Sequence, residues 1–368
     1  VDDLYAADAA SLIANLSPDE RRGLIETIGT TLDPEILPEL DEQIRDEVFG
    51  LLHPEHLAAA VQELDTDDAL DVIADLDDEQ QRELLARLPV ADRVALLQGL
   101  TYPEYSAGRL MQRDLVAVPA YWTVGETIDF MRASPDLPDD FYDLFVVDPR
   151  HRPVGTVSLS RVLRNRRAIR IDDIMSTDIS PLPVSMDQEE LARVFRQQDL
   201  VSAPVVDDNG RLVGVVTVDD VVDVIDEEAE DDLMKMGGVL EDDLYRAAFA
   251  TARSRSTWLA VNICTAFLAA TVISLFEATI QAVVALAVLM PIVASMGGNA
   301  ATQTLTVAVR ALATRELSAS NAMRIVWKET VVGMFNGVAF AILVGLVAFA
   351  WFHDVLIGVV IAAAMVVN

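Results

Sequence analysis

The chain has 368 residues, of which 52% are hydrophobic, yet its formal net charge is −32. Its single cysteine, Cys264, excludes an intrachain disulfide and a site built from several thiolates. Residues 1–245 contain 20 basic and 55 acidic residues, whereas residues 246–368 contain seven basic and four acidic residues. An acidic half of this kind repels nucleic acid and attracts cations, although salt adaptation or solubility is an alternative explanation.

A twelve-residue repeat runs through the first hundred residues. Its apolar members are Leu16, Ile28, Leu40, Leu52, Leu64, Leu76, Leu88 and Leu100. Many of them precede Ser, Asp, Thr or Pro, which favour the first positions of a helix. One helix and turn cannot bury its apolar face alone, so the units should stack. We predict an all-α superhelical domain over residues 1–108.

One stretch of this repeat is crowded with carboxylates. The candidate metal ligands there are Asp65, Asp67, Asp68, Asp71 and Asp75. Carboxylate oxygens suit hard cations such as Mg²⁺, which makes the stretch a candidate cation sensor. A solvated helix face would give the same pattern, and the sequence leaves both interpretations open.

A duplication of a different kind occupies residues 109–232. Residues 110–119 match residues 174–183, and residues 148–158 match residues 207–217. Alternating apolar runs and turns predict strand, helix, strand, turn, strand and helix in each copy. The pair resembles tandem cystathionine-beta-synthase (CBS) modules, which have an α/β fold.

The resemblance to CBS modules implies a nucleotide site. These modules often bind adenosine nucleotides such as ATP through a Gly-x-x-Ser/Thr-x-x-Asp turn, which the second copy carries at residues 214–220. The resemblance implies that Thr217 faces phosphate and Asp220 faces the ribose. The first copy has Arg161 in place of the Asp. At most one nucleotide site is therefore expected, with a purely structural module as the alternative.

The second copy ends in another run of carboxylates. The candidate ligands are Asp219, Asp220, Asp223, Asp226, Glu227, Glu228, Glu230 and Asp231. Such a surface is repelled by a second acidic surface, and a divalent cation between the two removes that repulsion. This is the physical basis for a switch operated by cations. Residues 233–255 then read as a linker helix that enters the membrane.

Residues 256–368 are predicted to form an α-helical transmembrane domain. Charge-free runs at 256–276, 278–309 and 330–353 are each long enough to cross a bilayer. Residues 355–368 begin a fourth span, which the sequence predicts to continue past Asn368. Arginines precede the first span and four basic residues fill the loop after the second, whereas the loops after the first and third spans have no Lys or Arg. This asymmetry predicts cytosolic N-terminal domains in a multi-pass protein of the inner (plasma) membrane.

The second span carries polar residues on one helical face. Ser295, Asn299, Thr302, Gln303 and Thr306 follow Pro291 at i, i+4, i+7, i+8 and i+11. We call this set the polar stripe. In a span, such a stripe lines a water-filled path or supports helix packing. Neutral oxygen and amide groups could pass a partly hydrated Mg²⁺.

The order of these parts, with Pro291 and the Ser-Met-Gly-Gly-Asn run at 295–299, resembles the MgtE magnesium channel family over essentially the whole chain. The resemblance implies a homodimer with five spans per subunit, whose cytosolic domains bind Mg²⁺ and shut the pore when it is abundant. The implied pore residues are Ser295, Gly297, Gly298, Asn299, Thr302 and Gln303. The family's acidic pore residue belongs to a fifth span, which these 368 residues do not include.

Two other functions remain open from the sequence. One is transport of a different divalent cation, such as Co²⁺, Mn²⁺ or Ca²⁺, and the other is a membrane sensor of nucleotide that transports nothing. No nucleophile–base pair, phosphate-binding glycine loop or histidine-rich metal motif was found in the sequence, so we do not predict an enzyme.

Overall fold

The structure is a computed structural model that describes residues 4–29, 31–135, 137–138, 141–239, 248–313, 317 and 320–368. The chain divides into two compact units, Val1–Ala229 and Glu230–Asn368. Each unit is described by itself.

The first unit begins with short helices that confirm the predicted repeat. They are α1 (Ala6–Ala14), α2 (Pro18–Ile28), α3 (Glu42–Leu51), α4 (Pro54–Glu63), α5 (Thr66–Ala74), α6 (Asp78–Arg87) and α7 (Val90–Gly99). The repeat residue directly follows the last residue of α3, α4, α6 and α7. Its side chain is buried at residues 40, 52, 64, 76 and 88, so the repeat fixes where successive helices meet in one core.

The helix starts show which predicted caps form. Asp77 accepts hydrogen bonds from the backbone N–H of Glu79 and of Gln80, both at 2.9 Å, and caps α6. Asp65 occupies the same place before α5, but its side chain makes no capping hydrogen bond. Its carboxylate therefore remains available for contacts outside the helix.

The duplicated region folds as two α/β copies in the predicted order. The first copy contains β1 (Ala117–Pro119), α8 (Val124–Ala133), β2 (Asp143–Val147), β3 (Pro153–Ser158) and α9 (Leu159–Arg164). The second contains β4 (Leu182–Pro183), α10 (Gln188–Gln198), β5 (Ser202–Val206), β6 (Leu212–Thr217) and α11 (Val218–Gly237). In each copy the first two strands pair parallel and the last two antiparallel.

The two sheets pack against each other through apolar side chains. Phe145 and Val147 of β2 form one buried cluster with Leu212 and Val215 of β6. The backbone N–H of Leu212 also donates to the carbonyl of His151 at 2.8 Å. The two copies are thus joined into one body.

The second unit is helical in its described part. It contains α12 (Ala248–Ser274), α13 (Glu277–Ala282), α14 (Val284–Ala313), α15 (Ala322–Phe352) and α16 (Val355–Val367). Among the described residues, α12, α14 and α15 are long and apolar enough to cross a membrane, and α16 is a shorter apolar helix. This agrees with three full spans and the start of a fourth.

The described helices cross one predicted domain boundary and break one charge-free run. The helix α12 (Ala248–Ser274) runs through Arg253 and Arg255, where the sequence placed the change from the linker helix to the span. Arginine is a good helix former, so charge does not stop the helix. The charge-free run 278–309 is interrupted at Val283, between α13 and α14. Residues 240–247 of the expected linker helix lie outside the described residues.

A candidate cation site and a polar transmembrane helix

The starts of α5 and α11 bring two groups of aspartates together within the first unit. Asp67 is buried, with 9% of its surface exposed, and its Oδ1 has no hydrogen-bond partner. Burial raises the pKa of Asp67 well above the usual range, and the nearby charge of Asp220 raises it further. Residues from the two predicted acidic runs therefore lie near each other at this point of the fold.

The carboxylates around Asp67 share its electrostatic environment. Burial raises the pKa of Asp68 to about 7, and the charge of Asp220 adds to the effect. Burial also raises the pKa of Asp220 to about 6, against hydrogen bonds from Thr217 that lower it. The pKa values of Asp65, Asp223 and Glu39 are raised for the same first reason. We define the acidic cluster as Glu39, Asp65, Asp67, Asp68, Asp114, Asp219, Asp220 and Asp223.

Glu39 and Asp114 were not predicted as members of the cluster. The charge of Asp114 raises the pKa of Asp65, and Asp223 raises that of Glu39. Glu39 precedes a repeat leucine, and Asp114 lies in the matched segment at the start of the first copy. Asp114 has no acidic neighbour in sequence, and Glu39 is followed by Asp41 and Glu42, so neither residue stood out from the other surface acids.

Several predicted ligands have other partners. Asp75 forms an ion pair of 2.9 Å with Arg45. Buried Gln188 donates to Glu228 at 2.9 Å and to Glu227 at 3.3 Å. In the second unit, Asp231 pairs with Lys235 at 2.6 Å. These contacts divide the two predicted runs into the acidic cluster and acids held by neighbouring donors.

The remaining predicted ligands, Asp71, Asp226 and Glu230, are exposed. Asp71 raises the pKa of Asp68 and of Asp75, so it borders the cluster. Asp226 raises the pKa of Asp223. Both therefore add negative charge beside the cluster.

The acidic cluster fits a hydrated hard cation. Its donors are carboxylate oxygens, and the buried Oδ1 of Asp67 lacks a donor. No three His, Cys, Asp or Glu side chains in the described part of the chain converge into a ready-made metal site. Mg²⁺ keeps several waters in protein sites, so bridging through water suits this arrangement. Asp67, Asp68, Asp219 and Asp220 lie in the first turns of their helices, whose N-terminal dipoles offset part of the repulsion.

The two residues of the second copy that were predicted to bind a nucleotide contact each other. Thr217 Oγ1 donates to Asp220 Oδ2 at 2.7 Å, and its backbone N–H donates to the same oxygen at 3.3 Å. In the first copy, Arg161 donates to the carbonyl of Ile174 at 2.9 Å. Asp220 therefore belongs to the acidic cluster and to the predicted nucleotide turn at once.

The polar stripe lies on α14, which stays helical past Pro291. The hydroxyl of Thr302 donates to the carbonyl of Gly298, and that of Thr306 donates to the carbonyl of Thr302, both at 3.0 Å. The hydroxyl protons are thus used within the helix, which leaves the oxygen lone pairs to face outward. The stripe can therefore offer oxygen acceptors to a cation.

Comparison with known proteins covers both units. Residues 4–105 match the MgtE intracellular N domain, residues 107–168 and 171–227 match the CBS domain, and residues 290–368 match the MgtE family described as "Divalent cation transporter". A crystal structure of the cytosolic domain of the Mg²⁺ channel MgtE in complex with ATP is 32% identical, with a TM-score of 0.56. The match covers 61% of this chain and 91% of that one. This chain belongs to the MgtE family.

The MgtE relatives also include full transporters. The magnesium transporter MgtE of Bacillus subtilis is 27% identical over 99% of this chain and 81% of its own length. That of Thermus thermophilus is 39% identical over 66% of this chain and 54% of its length. The Enterococcus faecalis protein is 32% identical over 72% and 59%. The MgtE match therefore spans roughly half of two of these relatives and four fifths of the third.

Proposed function

We propose that this MgtE-family chain transports Mg²⁺ across the inner (plasma) membrane as a homodimer and is closed by cytosolic Mg²⁺ at the acidic cluster. The transport part is supported by the relatives, which are named magnesium transporters. It is also supported by the polar stripe, which presents oxygen acceptors along one membrane helix. Mg²⁺ is then both the transported substrate and the regulatory ligand.

The observation that carries the regulatory part is the burial of Asp67 beside Asp220. A buried carboxylate oxygen without a donor, such as Oδ1 of Asp67, is costly, and a second carboxylate beside it adds Coulomb repulsion. A divalent cation bound at the cluster would remove both costs. The contact between α5 and α11 would therefore form readily with Mg²⁺ and loosen without it.

The energy needed for such a switch is attainable. Moving a two-state equilibrium from 1:99 to 99:1 takes about 5.5 kcal/mol of differential binding. One cation present at 100 times its dissociation constant supplies about 2.7 kcal/mol. Two cations bound in each first unit would therefore be enough.

Protease sensitivity tests the regulatory proposal. In the intact protein, millimolar Mg²⁺ should protect the segments of α5 and α11 from cleavage, whereas K⁺ at equal ionic strength should not. Asp67→Asn should weaken the response to Mg²⁺, and the exposed residue Asp8 offers a matched control, Asp8→Asn. Equal cleavage with and without Mg²⁺ would rule out the regulatory site.

Ion flux tests the transport proposal. The protein in liposomes should move Mg²⁺, and external Mn²⁺, Co²⁺ or Ca²⁺ should compete weakly. The family is described only as a divalent cation transporter, so a faster flux of another ion would favour that function instead. Absence of any divalent flux would favour a sensor that does not transport.

A nucleotide is the second candidate ligand. The related cytosolic domain was crystallised with ATP, and the second copy of this chain has Thr217 and Asp220 at the expected places. Here Asp220 already accepts from Thr217 and borders Asp67, so ATP would have to displace those contacts. Calorimetry with ATP, repeated on Thr217→Val, would test the site. Equal binding by both proteins would place ATP elsewhere.

A further inference from the structure

The helix α14 has a second functional face opposite the polar stripe. Leu289, Val293 and Gly297 follow one another at i, i+4 and i+8, so they share a face. At 3.6 residues per turn, Gly297 points about 200° away from Ser295. Gly297 therefore cannot line the same path as the stripe.

The helix α16 covers this second face. Leu289 and Ile361 are buried in one apolar cluster, against which Val293 and Ile357 pack. Asn368 follows Ile361 by seven residues, two helical turns, and therefore emerges on the same side of α16. The packing brings the amide of Asn368 to the backbone of α14.

Asn368 makes a specific contact there. Its Nδ2 donates to the carbonyl of Val293 at 3.0 Å. A Cβ added at Gly297 would collide with that Nδ2 and lie 2.7 Å from Oδ1, so the Asn368 amide would have to move away to admit it. A Cβ at the neighbouring Gly298 would meet nothing within 4 Å. Two adjacent glycines thus differ: one receives the Asn368 amide, and the other is open.

We propose that Asn368 is a positioning residue for α14, with its amide packed against Gly297. This proposal rests on the proposed transport function. Helix association in a membrane depends on close packing and interhelical hydrogen bonds, because lipid competes equally for apolar surface. The Asn368 contact, on the face of α14 opposite the polar stripe, fixes the rotation of α14 about its own axis. The direction of the polar stripe, and with it the placement of its oxygen acceptors, follows from that rotation.

The packing part is tested by melting temperatures in detergent. Gly297→Ala should lower the melting temperature by several degrees, and Gly298→Ala should lower it much less. Adding Asn368→Ala to Gly297→Ala should recover part of the loss, because the smaller side chain makes room for the new methyl group. Equal losses at both glycines, or additive effects in the double variant, would overturn the contact.

The positioning part is tested by ion flux. Asn368→Leu keeps the branching of the side chain and its number of heavy atoms but removes the hydrogen bond, so Mg²⁺ flux per folded protein should fall about threefold to tenfold. The ratio of Mg²⁺ to Mn²⁺ flux should change as well, since the stripe is rotated. Asn368→Gln should restore part of both. Gly333 on α15 also has open space, so Gly333→Ala should leave both fluxes unchanged.

The outcomes separate the two proposals. An equal fall of both fluxes in Asn368→Leu, with their ratio preserved, would overturn the positioning role. If the unmodified protein moves no divalent cation, the transport function fails and the positioning role fails with it. Coupled melting temperatures would then still establish the packing contact itself.

Discussion

The two CBS copies have nearly the same backbone but carry opposite charges at the start of their last helix. Asp143 pairs with Ser158 in the first copy, and Ser202 pairs with Thr217 in the second, each with a register shift one residue before the end of the central strand. The turns also correspond, because His151 and Gly210 both have positive φ at the fourth residue of the turn. The duplication therefore preserved the strand register.

The copies diverge where the last helix begins. The helix α9 of the first copy has six residues and carries Arg161, whereas α11 has 20 residues and begins with Asp219 and Asp220. The second copy supplies Asp219, Asp220 and Asp223 to the acidic cluster at the start of α5, whereas the first copy supplies Asp114. The same scaffold thus carries opposite charges after the last strand of its two copies.

The shared scaffold is tested most strongly at its glycines. A Cβ at Gly214 would lie 2.7 Å from Met111 Sδ, and one at Gly155 would lie 2.9 Å from Met175 Sδ. Alanine at either position should cost about 2 to 3 kcal/mol through overpacking. Hydrogen exchange of β3 and β6 would measure it, with Gly23→Ala as the control in open space. Clearly unequal losses would contradict the equivalence of the copies.

The chemical difference is tested by pH. Because the pKa of Asp68 is raised to about 7, its charge destabilises the folded protein. That cost is absent below about pH 4 and grows as the pH rises through 7. Without Mg²⁺, Asp68→Asn should be more stable than the unmodified protein by about 1 to 2 kcal/mol at pH 8, after allowance for solvent screening.

The stability of the protein against unfolding shows whether Asp68 titrates in the cluster. Unfolding in urea at pH 4 and pH 8, with and without Mg²⁺, gives the four stabilities required. Millimolar Mg²⁺ should shrink the advantage of Asp68→Asn at pH 8. An advantage that is the same at both pH values would show that Asp68 does not titrate in the cluster.

Changing the charge at the matching position of each copy tests which copy responds to Mg²⁺. Asp220→Asn should raise the Mg²⁺ concentration that gives half-maximal protease protection about tenfold, which corresponds to about 1.4 kcal/mol. Arg161→Asp, at the matching place of the first copy, should leave that concentration unchanged. A gain of Mg²⁺ response in Arg161→Asp would show that position in the copy matters less than charge.

The smallest effect is expected at the two turns. Asp148 Oδ1 accepts from the N–H of Arg150 and of Arg152, and Asp207 Oδ1 accepts from those of Asn209 and Arg211. The bond from the N–H of Arg152 is the main cause that holds the pKa of Asp148 below its usual range. The bond from the N–H of Arg211 does the same for Asp207. Asp148→Asn and Asp207→Asn should each lower the melting temperature slightly and equally. A large loss in one alone would reveal a role beyond the turn.

Local order was largely predictable from the sequence. The twelve-residue repeat predicted where most of the short helices end, because one apolar residue in each repeat packs into the core at the turn between helices. The matched segments gave the order of strands in both copies, since alternating burial is a local property. The break at Val283 was missed, because a charge-free run does not say where a helix stops.

The candidate sites were predicted only in part. The aspartates of α5 and α11 were found as runs of charge, but the sequence could not separate Asp67, which is buried, from Asp75, which pairs with Arg45. It also grouped Gly297 with Gly298, although only Gly297 lies against Asn368. Each distinction depends on which surface a neighbouring element covers.

The sequence by itself determined the repeat domain, the CBS pair, the membrane helices and the polar stripe, because each depends on spacing along the chain. Tertiary structure decided which carboxylates meet in the acidic cluster and which face of α14 receives α16. Burial and charge repulsion arise between residues that are distant in sequence, and only the packed fold brings those residues within reach of one another.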